Sequence, residues 1–135
     1  MGRIDFDDLQ GARNYSGQRA YNQSKLANVM FSNELARRLD GTGVTANSLH
    51  PGVVRSNFGA EDQARWFAVM SRVILPLLKT PAQGAQTSIF LASSPDIVAV
   101  TGQFFANRKR KTPNKIALDT EMTAKLWNVS AALVA

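Results

Sequence analysis

The sequence predicts a layered α/β fold with parallel strands, of which this chain is the back half. Two observations carry that expectation. The signals along the chain alternate as helix, strand, helix, strand, helix, an order that favours parallel strands joined by helical crossovers. Only two strand candidates are found, too few for a parallel sheet covered on both faces.

Each element has its own signal. Residues 1–19 are polar, contain Gly2, Gly11 and Gly17, and read as an irregular lead-in. From Ala20 to Leu39 there is no Gly or Pro, and Leu26, Ala27, Met30, Phe31, Leu35 and Leu39 recur at spacings of three and four. That pattern predicts a helix about 30 Å long. Asp40-Gly41-Thr42-Gly43 stops it, with Gly41 suited to the left-handed terminal position. Val44–Leu49 is then a short strand closed by His50-Pro51-Gly52. Thr80-Pro81-Ala82-Gln83 starts a second helix: Thr80 caps, Pro81 fits the first turn, and Gln83 reaches back to complete a capping box. Ser93-Ser94-Pro95 ends it. A second strand falls around Gln103–Ala106, and a last helix runs from Asp119 to about Leu133.

Composition narrows the chemistry. The 135 residues suit one domain, and 44% hydrophobic against 19% charged residues is enough to bury a core. There is no cysteine, which excludes a disulfide scaffold, a thiolate metal site and a cysteine nucleophile. His50 is the single histidine, so no multi-histidine metal centre can form, and no metal site is expected. The start, MGRIDFDDLQ, is too polar for a signal peptide. The longest apolar stretch, Trp66 to Leu78, is interrupted by Arg72 and Pro76 and falls short of the ~20 residues of a membrane span.

Tyr21 and Lys25 stand four apart near the start of the first helix, which places them on one face, one turn apart. A phenol is a poor base at neutral pH, and an adjacent ammonium favours the phenolate, fitting tyrosine to exchange a proton with an alcohol or carbonyl oxygen. Around the pair, Ala20-Tyr21-Asn22-Gln23-Ser24-Lys25-Leu26-Ala27-Asn28, the long helix, and Val44-Thr-Ala-Asn-Ser-Leu-His50-Pro51-Gly52-Val53-Val54-Arg55-Ser56 closely resemble the short-chain dehydrogenases/reductases. The closest likeness is to their retinol-dehydrogenase-like group. It runs from about Arg3 to Val134 and includes Arg3-Ile-Asp-Phe-Asp-Asp-Leu and the ending Leu126-Trp127-Asn-Val-Ser130.

The resemblance implies a Rossmann-like doubly wound sheet, of which residues 1–135 are the C-terminal half of a single domain. It implies an oxidoreductase that interconverts an alcohol and a carbonyl compound with NAD(P)(H), NADP leading. Tyr21 becomes the acid/base. Lys25 assists its ionisation and bonds the nicotinamide ribose. Pro51, Gly52 and Val54 abut the nicotinamide, and Ser56 supplies a hydroxyl where the family usually has threonine. The family's Gly-rich phosphate loop, its Asn-Asn-Ala-Gly stretch and its catalytic serine are not found. Gly41-Thr42-Gly43 lies between a helix and a strand, the reverse of the order phosphate binding requires. Ser16 belongs to the lead-in and does not replace that serine. The chain by itself is therefore expected to be inactive and to belong to a longer dehydrogenase. The determinants of NADH against NADPH lie near a strand not present here.

Trp66–Leu78 corresponds to the family's substrate-binding insertion. Its apolar content points to a lipophilic alcohol, aldehyde or ketone lined by Trp66 and Met70; a helix packed on the core is an equal reading. On the first helix, Leu26 and Met30 lie opposite Phe31, Leu35 and Leu39, and the resemblance suggests pairing into a homo-oligomer through this helix. Arg108-Lys109-Arg110-Lys111 reads as a flexible, solvated basic loop, and no nucleic-acid partner is expected. The expected location is the cytoplasm or the periphery of a membrane. The alternative function is a non-catalytic binding or assembly module.

Overall fold

The structure, a computed structural model, describes residues 2–54 and 78–135. Helix α1 spans Gly17–Arg38, strand β1 Ser48–His50, helix α2 Pro81–Ser93, strand β2 Phe104–Ala106, strand β3 Lys109–Lys111 and helix α3 Thr120–Val134. Single 3-10 turns occupy Pro95–Ile97 and Lys115–Leu118.

The helices stand where the sequence places them. The Gln83 amide donates to the Thr80 hydroxyl at 3.2 Å and the Thr80 amide to the Gln83 carboxamide at 2.9 Å, closing the capping box of α2. Asp119 caps α3 by accepting the Met122 amide at 3.0 Å. Helix α1 starts three residues earlier than its apolar periodicity suggests and ends at Arg38, before the turn with Gly41 at φ +75°.

The first expected strand shrinks to Ser48–His50 because Val44–Asn47 finds side-chain partners instead. The Ala46 amide donates to the Thr101 hydroxyl at 3.0 Å. The Asn47 carboxamide donates to the Val100 carbonyl at 2.7 Å and accepts the Gln103 amide at 3.0 Å. Strand β1 then pairs parallel with β2, Ser48 opposite Phe104 and His50 opposite Ala106.

A third strand was not foreseen. Residues Lys109–Lys111 pair antiparallel with β2, Ala106 opposite Lys109, and this corrects the reading of the basic run as a flexible loop. The link is a two-residue turn in which Asn107 and Arg108 both take positive φ, 53° and 60°, the twist that suits a tight hairpin. The Arg108 amide donates to the buried Thr87 hydroxyl of α2 at 3.2 Å. The ladder and Thr87 hold the backbone of a segment whose side chains all remain in water.

The main core lies between the lead-in, α1 and α3: Ile4, Leu26, Met30, Ala117 and Leu126, with Phe6, Leu9 and Met122 packed around them. The lead-in is irregular yet anchored, since the Asp5 amide donates to Gln23 of α1 at 2.9 Å and Gln23 donates back to the Leu9 carbonyl at 3.0 Å. Asn33 of α1 donates to the Ala117 carbonyl at 2.6 Å. A second contact joins α2 to the sheet, where Phe105 is buried with its ring 6.3 Å from that of Phe90.

Candidate active site

The second turn of α1 carries Tyr21, and one turn later Lys25 places its ammonium 5.2 Å from the centre of the Tyr21 ring. The four-residue spacing thus brings cation and phenol together on an exposed helix face. Tyr21 is 48% exposed. The Ser24 hydroxyl donates to the Tyr21 carbonyl at 2.8 Å, and the Gln23 bonds to the lead-in fix this part of α1 from its other side. Ser16 is the residue before α1 and makes no side-chain cap bond.

Helix α1 packs on β1, and β1 runs directly into Pro51, Gly52 and Val54. Gly52 has φ +89°, where glycine is favoured, and a Cβ there would come within 2.8 Å of the Lys79 ammonium. Lys79 holds this turn at three points. Its amide donates to the Val53 carbonyl at 3.0 Å and its ammonium to the Pro51 carbonyl at 3.1 Å. The same ammonium donates at 2.5 Å to the side chain of Asn107, in the hairpin turn. Lys79 also forms a parallel bridge with Val54. Gly84 of α2 lies so close to Val54 that a Cβ would stand 2.5 Å from its Cγ2. His50 is exposed at the end of β1.

The structure therefore brings Tyr21 to Lys25, and gathers Pro51, Gly52 and Val54 beside Lys79 just after the strand against which α1 packs. Ser56, Trp66 and Met70, together with most of the apolar stretch, lie outside the described residues. Sequence reasoning passed over Lys79 and Asn107. The capping motif beside Lys79 drew attention to the helix start, and nothing in the sequence links position 79 to position 107.

Farther along α1 is a second group that the sequence did not flag. Glu34 is buried and accepts hydrogen bonds from Arg37, at 2.9 and 2.6 Å, and from Arg38, at 2.7 Å. The Arg37 bonds hold its carboxyl below the usual range; burial opposes this, and Arg38 adds to the lowering. Arg37 is raised in turn by its bond to Glu34. The cluster lies at the C-terminal end of the helix, where cations also face the negative end of the dipole.

An exposed phenol and ammonium on α1 are chemically suited to hydroxyl groups such as those of a nucleotide ribose, and Lys79 holds the Pro51–Val54 backbone in place. No Gly-rich strand-to-helix loop is present for the pyrophosphate. Among the described residues no helix is long and apolar enough to cross a membrane.

Comparison with known proteins gives a consistent picture. Residues 9–65 match the family model described as short chain dehydrogenase. The chain is 44% identical to Retinol dehydrogenase 14 of Mus musculus over 98% of its own length and 40% of the relative's. It is likewise 44% identical to Retinol dehydrogenase 13 of Homo sapiens, over 98% of this chain and 42% of that protein. Among solved structures, an uncharacterized protein from Mycobacterium Paratuberculosis superposes with a TM-score of 0.69 at 29% identity, covering 98% of this chain and 45% of the other. The chain thus spans about two fifths of the length of the curated relatives it matches. Its α/β architecture is that of a Rossmann-like fragment, and its sequence is similar to short-chain dehydrogenases from end to end.

Proposed function

We propose that this chain is the C-terminal part of a single short-chain dehydrogenase domain, an oxidoreductase that interconverts a lipophilic alcohol and its carbonyl compound with NAD(P)(H), NADP(H) ahead of NAD(H). The observation that supports this best is the Lys25 ammonium 5.2 Å from the ring of Tyr21 on an exposed face of α1. The names of the relatives make retinol the first substrate to try. On this reading the protein works in the cytoplasm or at the periphery of a membrane, and copies pair through α1.

A bound nicotinamide supplies or accepts the hydride. The chain's own residues move the proton and set the geometry. In oxidation the Tyr21 oxygen takes the substrate hydroxyl proton as the carbon gives up its hydride; in reduction it returns that proton. Lys25, beside the phenol ring, bonds the ribose. Pro51, Gly52 and Val54 form a floor for the ring, Ser56 contributes its hydroxyl, and Trp66 and Met70 line the apolar substrate site. Positioning contributes much of such a rate, so the chain alone, which lacks a pyrophosphate loop, does not turn over.

The second reading is a non-catalytic binding or assembly module. A chimera separates the two. Residues 2–135 replace the matching segment of Mus musculus Retinol dehydrogenase 14, and NAD(P)-dependent oxidation of retinol is measured. The enzyme reading expects turnover that Tyr21→Phe lowers about a hundredfold or more. A folded but inactive chimera supports the module, and activity indifferent to Tyr21→Phe overturns the assigned chemistry.

A further inference from the structure

Charge is distributed very unevenly over this chain. Residues 2–40 and 119–135 hold seven cations and seven carboxylates. Residues 41–54 and 78–118 hold six cations, Lys79, Arg108, Lys109, Arg110, Lys111 and Lys115, against the single carboxylate Asp96. Lys79 precedes α2, the next four lie in the β2–β3 hairpin, and Lys115 lies in the following 3-10 turn, so most of the imbalance belongs to the hairpin. Lys79 is occupied inside it, on Pro51 and Asn107. The other five are exposed, and among the described residues none makes an ion pair.

We propose that the rim of the sheet formed by Arg108, Lys109, Arg110 and Lys111 docks edge-on against an anionic phospholipid surface. The arrangement of the charges selects this partner. Side chains alternate along a strand, so Lys109 and Lys111 lie on one face of the sheet and Arg110 on the other. They do not converge on a point, as a site for a single phosphate requires. They come together only at the outer edge of β3, with Arg108 at the turn, where a plane of negative charge meets all four. The hairpin is also rigid before it binds. Thr87 accepts the Arg108 amide and Lys79 donates to Asn107, so little backbone ordering is needed on docking.

Nucleic acid fits less well. Phe105 is buried and Phe104 half-buried, so the hairpin offers no open ring on which bases stack. Three-residue strands also present little length to a groove. Four clustered cations are, by contrast, within the range that recognises acidic lipid.

The test is sedimentation of the 135-residue chain with vesicles of phosphatidylcholine alone, or of equal parts phosphatidylcholine and phosphatidylserine. Binding is expected only to the mixed vesicles and is lost at molar salt. Each neutralised charge weakens it about fivefold, so K109E/R110E/K111E lowers it by about a hundredfold or more. K109R/K111R binds as the unaltered chain does. So does R3E/R13E/R19E, which makes the same change in net charge at exposed positions outside the hairpin. Equal binding to phosphatidylcholine, equal loss in both triple variants, or tighter binding to duplex DNA than to the mixed vesicles overturns the proposal.

Discussion

Arg38 lays its guanidinium over the indole of Trp127, 4.6 Å from the ring centroid, while its Nε donates to Glu34 at 2.7 Å. One side chain on the last turn of α1 thus reaches both a buried carboxylate of its own helix and the middle of α3. Phe31 stacks on the same indole, with centroids 5.1 Å apart and planes 9° from parallel. The indole therefore contacts both a cation and a ring from α1.

Trp127→Ala should cost about 2–3 kcal/mol, combining lost burial, the stacked pair and the cation contact. Urea unfolding measures it. A double-mutant cycle with Phe31→Ala should return a coupling of about 1 kcal/mol; additive effects would mean that the stack contributes nothing beyond burial.

Acid should weaken the fold partly through Glu34. Its folded value lies below the ordinary 4.5, so its contribution is fully present above that pH and is lost as pH falls through the lowered value. Glu34→Gln should cost about 1–2 kcal/mol at neutral pH and flatten the acid limb of a stability–pH profile. An unchanged limb would assign acid sensitivity to other carboxylates.

Gly84→Ala tests the seat of the Pro-Gly turn. In an open helix this exchange stabilises by about 0.5–1 kcal/mol. Here the new methyl would meet the stiff side chain of Val54 at 2.5 Å, and overpacking of that kind costs about 1–3 kcal/mol. Net destabilisation is expected in thermal unfolding, and stabilisation would show that Val54 yields freely.

Lys79→Met removes the ammonium from the Pro51 carbonyl and from Asn107 while keeping an apolar stem. Hydrogen exchange at the Lys79 amide, which donates to Val53, should quicken roughly tenfold, with little change in global stability. Unchanged exchange would mean that the backbone bridge alone fixes the turn.

Much of this architecture was legible because its signals are local. The Thr80–Gln83 box, the Asp119 cap and the three-to-four spacing from Leu26 to Leu39 each act within one or two turns of chain. The Tyr21–Lys25 pairing is local in the same way, and its geometry follows from helical spacing. What sequence reasoning missed depends on distant partners. Strand β3 has no Gly in its turn and no apolar alternation, and it exists because β2 and Thr87 receive it. Glu34 in isolation reads as a surface acid, and its burial arises only from the packing of other parts of the chain around α1. The length of β1 was overestimated because Asn47 and Thr101 compete for backbone groups that a ladder would otherwise use.

The outer margin of the three-stranded sheet is built to stay single. Along β3 every side chain is a lysine or arginine, and clustered positive charge repels an incoming strand. That margin is therefore closed to backbone pairing between copies. Exchanging Lys109, Arg110 and Lys111 for threonine would remove the repulsion and make the margin adhesive.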